Sequence, residues 1–225
     1  MSLQKHETRA VVFDMDGVLI DSHPAHRAAW ESFLQSLGVR VADEDLSFIL
    51  EGRTRSEILR HFLGELPEDE LQEYGRRKDE IFRELEHSIQ PAPGVMGFLS
   101  KLEQMGLSCA VATSASEIRT ASTIERLGLS SYFDAIITAA DVHLGKPHPQ
   151  VYQLACERLG VPPTEAVAFD DAPAGVLSAR SAGLRCIGVT SNGGSQTLLA
   201  AGAETIINGF TDLSIESFLL ACPHI

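Results

Sequence analysis

Short apolar runs and longer amphipathic stretches alternate along most of this chain. The short runs are Ala10–Met15, Ser108–Thr113, Ala135–Ala139, Ala166–Phe169, Arg185–Thr190 and Thr205–Ile207. They are rich in β-branched residues and apolar throughout rather than alternating, which predicts strands buried on both faces. Between the later runs lie Val95–Met105, Ser116–Leu127, Gln150–Leu159, Pro173–Ala182 and Gly194–Ala201, whose apolar spacing predicts helices. Gly106, Gly128, Gly160 and Gly183 each stand just before the next strand, where a glycine stops a helix. Repeated strand–helix alternation implies an α/β fold with a doubly wound parallel sheet covered on both faces.

One segment breaks the rhythm. From Pro24 to about Ser88 the pattern is helical only, over Pro24–Leu37, Glu44–Leu50, Ser56–Leu63 and Pro67–Leu85. A lobe of helices inserted after the first strand follows from this. Asp21–Pro24 is the outgoing joint, and the Pro/Gly-rich Gln90–Gly94 returns the chain to the core. The expected organisation is a core domain over 1–21 and 91–225, with an all-helical domain over 22–90.

Composition narrows the partners. The 225 residues carry 31 acidic and 18 basic side chains, a formal net charge of −13, spread along the chain with no acidic tail and no basic arm. A nucleic-acid or anionic-lipid partner needs a basic stripe, so neither is expected. No apolar run nears the ~18 residues of a membrane span, and no hydrophobic signal region opens the chain, so a cytoplasmic protein is expected. Cys109, Cys156, Cys186 and Cys222 stand far apart with no CxxC pair, which argues against a disulfide framework or structural zinc.

Candidate chemistry sits at the strand ends, where open α/β sheets bind ligands. The first strand delivers Asp14 and Asp16 in "DMDG"; two apart on a strand, they face the same way. Gly17 permits a tight turn after them. The fourth run ends in Asp170 and Asp171, followed by a helix with Pro173 in its first turn. Taken singly, these are a turn cluster and a helix N-cap. On neighbouring strand tips they converge as hard oxygen ligands, a set that suits Mg2+. Thr113 and Ser114 end another strand and open a helix, an anion site in the making, while "GKPHP" sets Lys146 in a rigid turn. Each alone is an ordinary cap or surface turn; together they add a neutral donor and a positive charge.

In this order, DMDGV, a threonine at a strand end, GKPHP and FDDAPAG resemble the four motifs of the haloacid dehalogenase (HAD) superfamily of phosphohydrolases. The helical insert resembles the cap of the branch containing β-phosphoglucomutase and small sugar-phosphate phosphatases. The likeness runs from about Arg9 to Gly209. It implies a Rossmann-like core with an inserted cap, a Mg2+ cofactor, and hydrolysis of a small phosphorylated metabolite through an aspartyl-phosphate. By the same resemblance Asp14 is the nucleophile and Asp16 the general acid/base. Thr113, with the Ser114 amide, holds phosphate; Lys146 bridges nucleophile and phosphate. Asp14, Asp16 (through its carbonyl), Asp170 and Asp171 surround the metal, and which of the last two binds it directly is open.

The resemblance also assigns substrate contacts to the cap: Gly52, Thr54 and Arg55 in a loop facing the substrate, Arg55 suited to a second anionic group. His26 and Trp30 match the first cap helix, with His26 expected near the acid. Arg77 and Lys78 match a basic cap-helix position, although a solvated helix face explains them equally. Before Gly52 the mutases carry Lys where this chain has Glu51, and an acid there disfavours a bisphosphate intermediate. A monoester phosphatase is therefore expected, with phosphomutase as the alternative. A catalytically inactive phosphate-binding regulator is the reading from another class, but it should lack Asp14 or Asp16. A nicotinamide site is disfavoured because no GxGxxG follows the first strand. The chain is expected to act as a monomer or weak dimer.

Overall fold

The computed structural model describes residues 8–42, 45, 48–49, 55–190 and 194–211. Six strands, β1 Ala10–Phe13, β2 Ser108–Ala112, β3 Ala135–Ile137, β4 Ala166–Asp170, β5 Arg185–Val189 and β6 Thr205–Ile207, form one sheet in the order β3-β2-β1-β4-β5-β6. Every pairing is parallel. The chain winds outward from β1 to one edge through β2 and β3, then returns to β4 and continues to the other edge. The order therefore reverses beside β1, the switch point at which ligands bind in such sheets.

The two faces of the sheet are packed differently. On one face Ala10, Val12, Ala110, Ala112, Ala166, Ala168 and Cys186 are small, and helices carrying Tyr152, Ala155, Val176 and Ala179 press close onto them. On the other, Phe13 stacks on Phe169 at 5.2 Å between ring centres, with Phe98, Phe133 and Phe210 around them. Both faces of the four central strands are buried, which explains why they read as continuous apolar runs.

The α-helices include α1 His23–Ser36, α2 Arg55–Leu63, α3 Glu68–Leu85, α4 Val95–Gln104, α5 Glu117–Arg126, α6 Gln150–Leu159, α7 Pro173–Ala182 and α8 Ser195–Ala200. The helices expected over 150–159 and 173–182 match to the residue, and the others lie within a residue or two of their expected ends. Gly160 and Gly183 close α6 and α7 in the left-handed conformation. The helix expected over Glu44–Leu50 falls largely outside the described residues.

The chain divides into two compact units: the residues up to Ile20 with those from Pro91 onward, and Asp21–Gln90. The first holds the sheet. The second holds only helices among its described residues and has its own core of Trp30, Phe33, Leu34, Ile58, Leu59 and Leu71. Among the described residues no helix is long and apolar enough to cross a membrane.

Candidate active site

The site is built from the carboxyl ends of β1, β2 and β4. Phe13 lies level with Val111 on one side and Phe169 on the other. Asp14 and Asp170, which follow directly, therefore end up side by side, and Thr113 stands one place beyond Ala112 at the end of β2. Two ladder bonds continue past the strands: Asp14 N–H donates to the Phe169 carbonyl at 2.9 Å, and Thr113 N–H to the Ile137 carbonyl at 3.0 Å.

Lys146 joins two of these tips. Its Nζ donates to Asp14 Oδ1 at 2.6 Å and to Asp170 Oδ2 at 2.8 Å, and lies 5.1 Å from the centre of the Tyr152 ring. The turn carrying it, with a cis Lys146–Pro147 peptide, is tied to α6 and α7. Gln150 Oε1 accepts from the His143 and Leu144 amides, and Ser178 Oγ donates to the His148 carbonyl. The lysine is thus delivered by a pinned loop to a buried place.

Asp170 is held on every side. Oδ2 also accepts from the Tyr152 hydroxyl at 2.6 Å, and Oδ1 accepts from the Ala172 amide at 3.0 Å. Behind it Gly175, in the first turns of α7, leaves the space that the carboxylate fills: a Cβ there would fall onto the Asp170 oxygens. Asp171 is partly exposed.

Burial pushes the Asp14 carboxyl well above its ordinary value of 3.8; Lys146 opposes this, while Asp170, Asp171 and Asp16 raise it further. Burial alone would lower the Lys146 ammonium, but Asp14 and Asp170 more than offset it, so the lysine stays charged. The Asp14 shift is set first by burial and then by its neighbouring carboxylates, whereas the Lys146 shift is set by the two acids that outweigh its burial.

Asp16 lies in the loop Met15–Ile20, which Gly17 enters at φ 72° so that its amide reaches the Ile20 carbonyl at 2.9 Å. The Asp16 carboxylate does not join Lys146. It is gripped instead by Arg119, whose Nη1 and Nη2 donate to Oδ2 and Oδ1 at 2.7 and 2.6 Å. Thr113 is buried and its Oγ1 accepts from the Ala115 amide at 3.1 Å, while Ser114 is exposed.

Among the described residues no group of three or more His, Cys, Asp or Glu side chains is arranged to hold a metal ion. Three of the four acids named for that role are turned to cations of the protein: Asp14 and Asp170 to Lys146, and Asp16 to Arg119. The donor set nevertheless fits a small hard cation. Asp14 feels the charges of Asp170, Asp171 and Asp16, and added positive charge would relieve that repulsion.

The helical unit carries the other named residues. Gly52 and Thr54 lie outside the described residues. Arg55 crosses α3 at Gly75, where a Cβ would strike its side chain, and pairs with Asp79 at 3.0 Å. His26 stacks on Phe82 at 4.1 Å, and its Nδ1 accepts from Lys78 Nζ at 3.1 Å. Lys78 is no solvated lysine: it is 5% exposed and lies over the Trp30 and Phe82 rings. Arg77 packs over Phe33 and Tyr74.

Residues 11–189, the stretch holding all of these strand tips, match the family of haloacid dehalogenase-like hydrolases. This chain belongs to that family. Within it, the hydrolase falls in the branch of β-phosphoglucomutase and CbbY, whose members carry a helical cap. It is 35% identical over 205 residues to the phosphorylated carbohydrates phosphatase of Thermotoga maritima, covering 88% of this chain and 93% of the relative. It is 30% identical over 218 residues to the β-phosphoglucomutase of Bacillus subtilis, covering 92% of each. The structure of CbbY from Rhodobacter sphaeroides in complex with phosphate superposes with a TM-score of 0.75 at 30% identity, over 92% of this chain and 96% of that one. The activity of this hydrolase is accordingly that of a phosphatase or phosphomutase on small phosphorylated metabolites.

Sequence reasoning missed Arg119, Tyr152 and Gly175. Arg119 follows Thr113 by six positions in the first turn of the next helix, and Tyr152 follows Lys146 by six in the same way. A polar side chain in the helix turn after a motif strand was the available signal.

Proposed function

We propose that this hydrolase is a Mg2+-dependent phosphatase of a small sugar-phosphate-like monoester, acting through an aspartyl-phosphate on Asp14. The observation that carries the reading is the Lys146 ammonium bridging Asp14 and Asp170, with Asp16 two residues beyond the first. A dianionic ester repels a bare carboxylate, so a nucleophilic Asp14 needs a cation fixed beside it before substrate arrives.

In the first step an Asp14 oxygen attacks phosphorus and the ester P–O bond breaks, while Asp16 gives its proton to the departing oxygen. In the second, water attacks the phosphoryl group, Asp16 takes the water proton, and the bond to Asp14 breaks to release inorganic phosphate. Lys146 orients Asp14 and neutralises charge on the phosphoryl oxygens; Thr113 and the Ser114 amide hold those oxygens. Asp14, Asp171 and the Asp16 carbonyl would hold Mg2+, while Asp170 serves to fix Lys146. When bound, the ion supplies Lewis-acid stabilisation of the phosphoryl oxygens.

A second reading, phosphomutase, draws support from the B. subtilis relative. Glu51 before Gly52 argues against it, because an acid there repels a doubly phosphorylated intermediate. In the helical cap, Arg55 is the candidate for a second anionic group on the substrate. Three buried, unpaired thiols suit a reducing compartment such as the cytoplasm.

The test is phosphate release, with Mg2+ supplied, from p-nitrophenyl phosphate and a panel of hexose, polyol and glycolate phosphates. Release should occur and be lost in Asp14→Asn with the circular dichroism spectrum unchanged. Silence across the panel would sink the hydrolase reading. Conversion of β-glucose 1-phosphate to the 6-phosphate, primed by a bisphosphate, would establish the mutase instead.

A further inference from the structure

Asp16 and Arg119 stand 103 positions apart, yet both oxygens of the carboxylate are met by the two ends of one guanidinium. The side chains are 26% and 17% exposed. Exposed single-contact ion pairs contribute little, but a bidentate, sheltered one fixes the carboxylate plane.

The backbone does not need this pair. The Met15–Ile20 loop is already closed by Gly17 N–H to the Ile20 carbonyl and by the Leu19 and Ile20 amides to the Met15 carbonyl. Arg119 is itself placed by α5, where its amide donates to the N-cap Ser116 Oγ at 3.4 Å. That helix starts just beyond the tip of β2, the strand paired with β1. What Arg119 adds is therefore orientation of the Asp16 side chain.

We propose that Arg119 is a positioning residue for proton transfer at Asp16, a role that rests on reading Asp16 as the acid/base. A fork has two donors. One N–H keeps the carboxyl group aligned while the other lets its oxygen go; the released oxygen, having taken up a proton from water, gives it to the leaving oxygen as the ester bond breaks. The same oxygen then takes the proton of the attacking water. Lysine, a single point of charge, cannot hold one oxygen in plane while freeing the other as well.

The consequence depends on the leaving group. An alkyl leaving oxygen needs its proton during departure, whereas p-nitrophenolate leaves without one. The value of kcat/KM reports steps through departure only. The test uses Arg119→Gln, Arg119→Lys, Asp16→Asn and the double variant Arg119→Gln/Asp16→Asn, on p-nitrophenyl phosphate and on the best alkyl ester from the panel. Arg119→Gln should lower the alkyl-to-aryl ratio of kcat/KM by about ten-fold or more, within the range of general-acid contributions. Arg119→Lys should fall between it and the native protein. The double variant should have the ratio of Asp16→Asn alone, because the arginine acts through that carboxylate.

Equal losses on both esters, a rise in the ratio, or additive losses in the double variant would each overturn the proposal. Should Arg119→Gln fail to fold, Arg119→Lys decides by the same ratio. A native enzyme silent on the whole panel would instead remove the phosphatase reading beneath it, a result distinct from any effect of the variants.

Discussion

Tyr152 donates its hydroxyl, at 2.6 Å, to the same Asp170 oxygen that Lys146 holds at 2.8 Å. Burial raises the phenol well above its ordinary value and the Asp170 charge raises it further, so the proton stays on Tyr152 and the hydroxyl remains a donor. The lysine that bonds Asp14 is thus also held by a carboxylate whose own direction is set from α6.

Tyr152→Phe keeps the ring under Lys146 and removes only the donor. We expect a loss of about 1–3 kcal/mol in stability, the usual cost of depriving a buried charged acceptor of a partner. Turnover should fall by roughly three- to ten-fold as Lys146 loses its fixed direction. Urea unfolding and steady-state kinetics measure the two; a variant indistinguishable from native in both would refute the anchoring role.

Gly175→Ala places a methyl group on the Asp170 carboxylate. Either α7 or Asp170 must shift, and overpacking of this kind costs about 1–3 kcal/mol. Because Asp170 directs Lys146, activity should drop together with stability. A variant of native midpoint and native rate would show that the helix moves aside freely.

Arg55 pairs with Asp79 on the helical unit, half exposed. If its guanidinium serves an anionic substrate group, Arg55→Ala should raise KM for substrates bearing a second charge and leave singly charged esters little affected. An equal change across all substrates would assign the arginine to another task. Asp79→Asn, which frees the guanidinium, should lower KM for the doubly charged substrates.

Burial pushes the Cys109 thiol up to about 12 and the Cys156 thiol up to about 11, and raises Cys186 higher still. The thiolate is the reactive form. At pH 8 the fraction ionised at each is on the order of one in a thousand or less, so iodoacetamide should leave all three unmodified in the native protein and modify them in urea. Peptide mapping by mass spectrometry reads this directly; rapid native alkylation of Cys109 would contradict its burial.

Much of this architecture is legible along the chain because it is local in origin. Gln150–Leu159 and Pro173–Ala182 have periodicity and a terminating glycine within their own span, and both helices form as read. The strand ends were less distinct: the runs through Met15, Thr113 and Thr190 stop one or two residues earlier in the sheet, although single backbone hydrogen bonds from Asp14, Thr113 and Thr190 still reach the neighbouring strands. Lys78 was ambiguous as well. Its neighbours Arg76 and Arg77 suggest a solvated face, and only the packing of α3 against α1 buries it among Trp30 and Phe82.

The sequence by itself determined the order of strands and helices and which acids stand at strand ends, since apolar periodicity and turn residues act over a few neighbours. The tertiary structure alone decided how those acids are shared among the cations. Sheet order and register bring Asp14 level with Asp170 so that one lysine serves both, and they set Arg119 across from Asp16. Such pairings join residues 24 to 132 positions apart, and charge on a linear chain carries no mark of the partner that folding will bring to it.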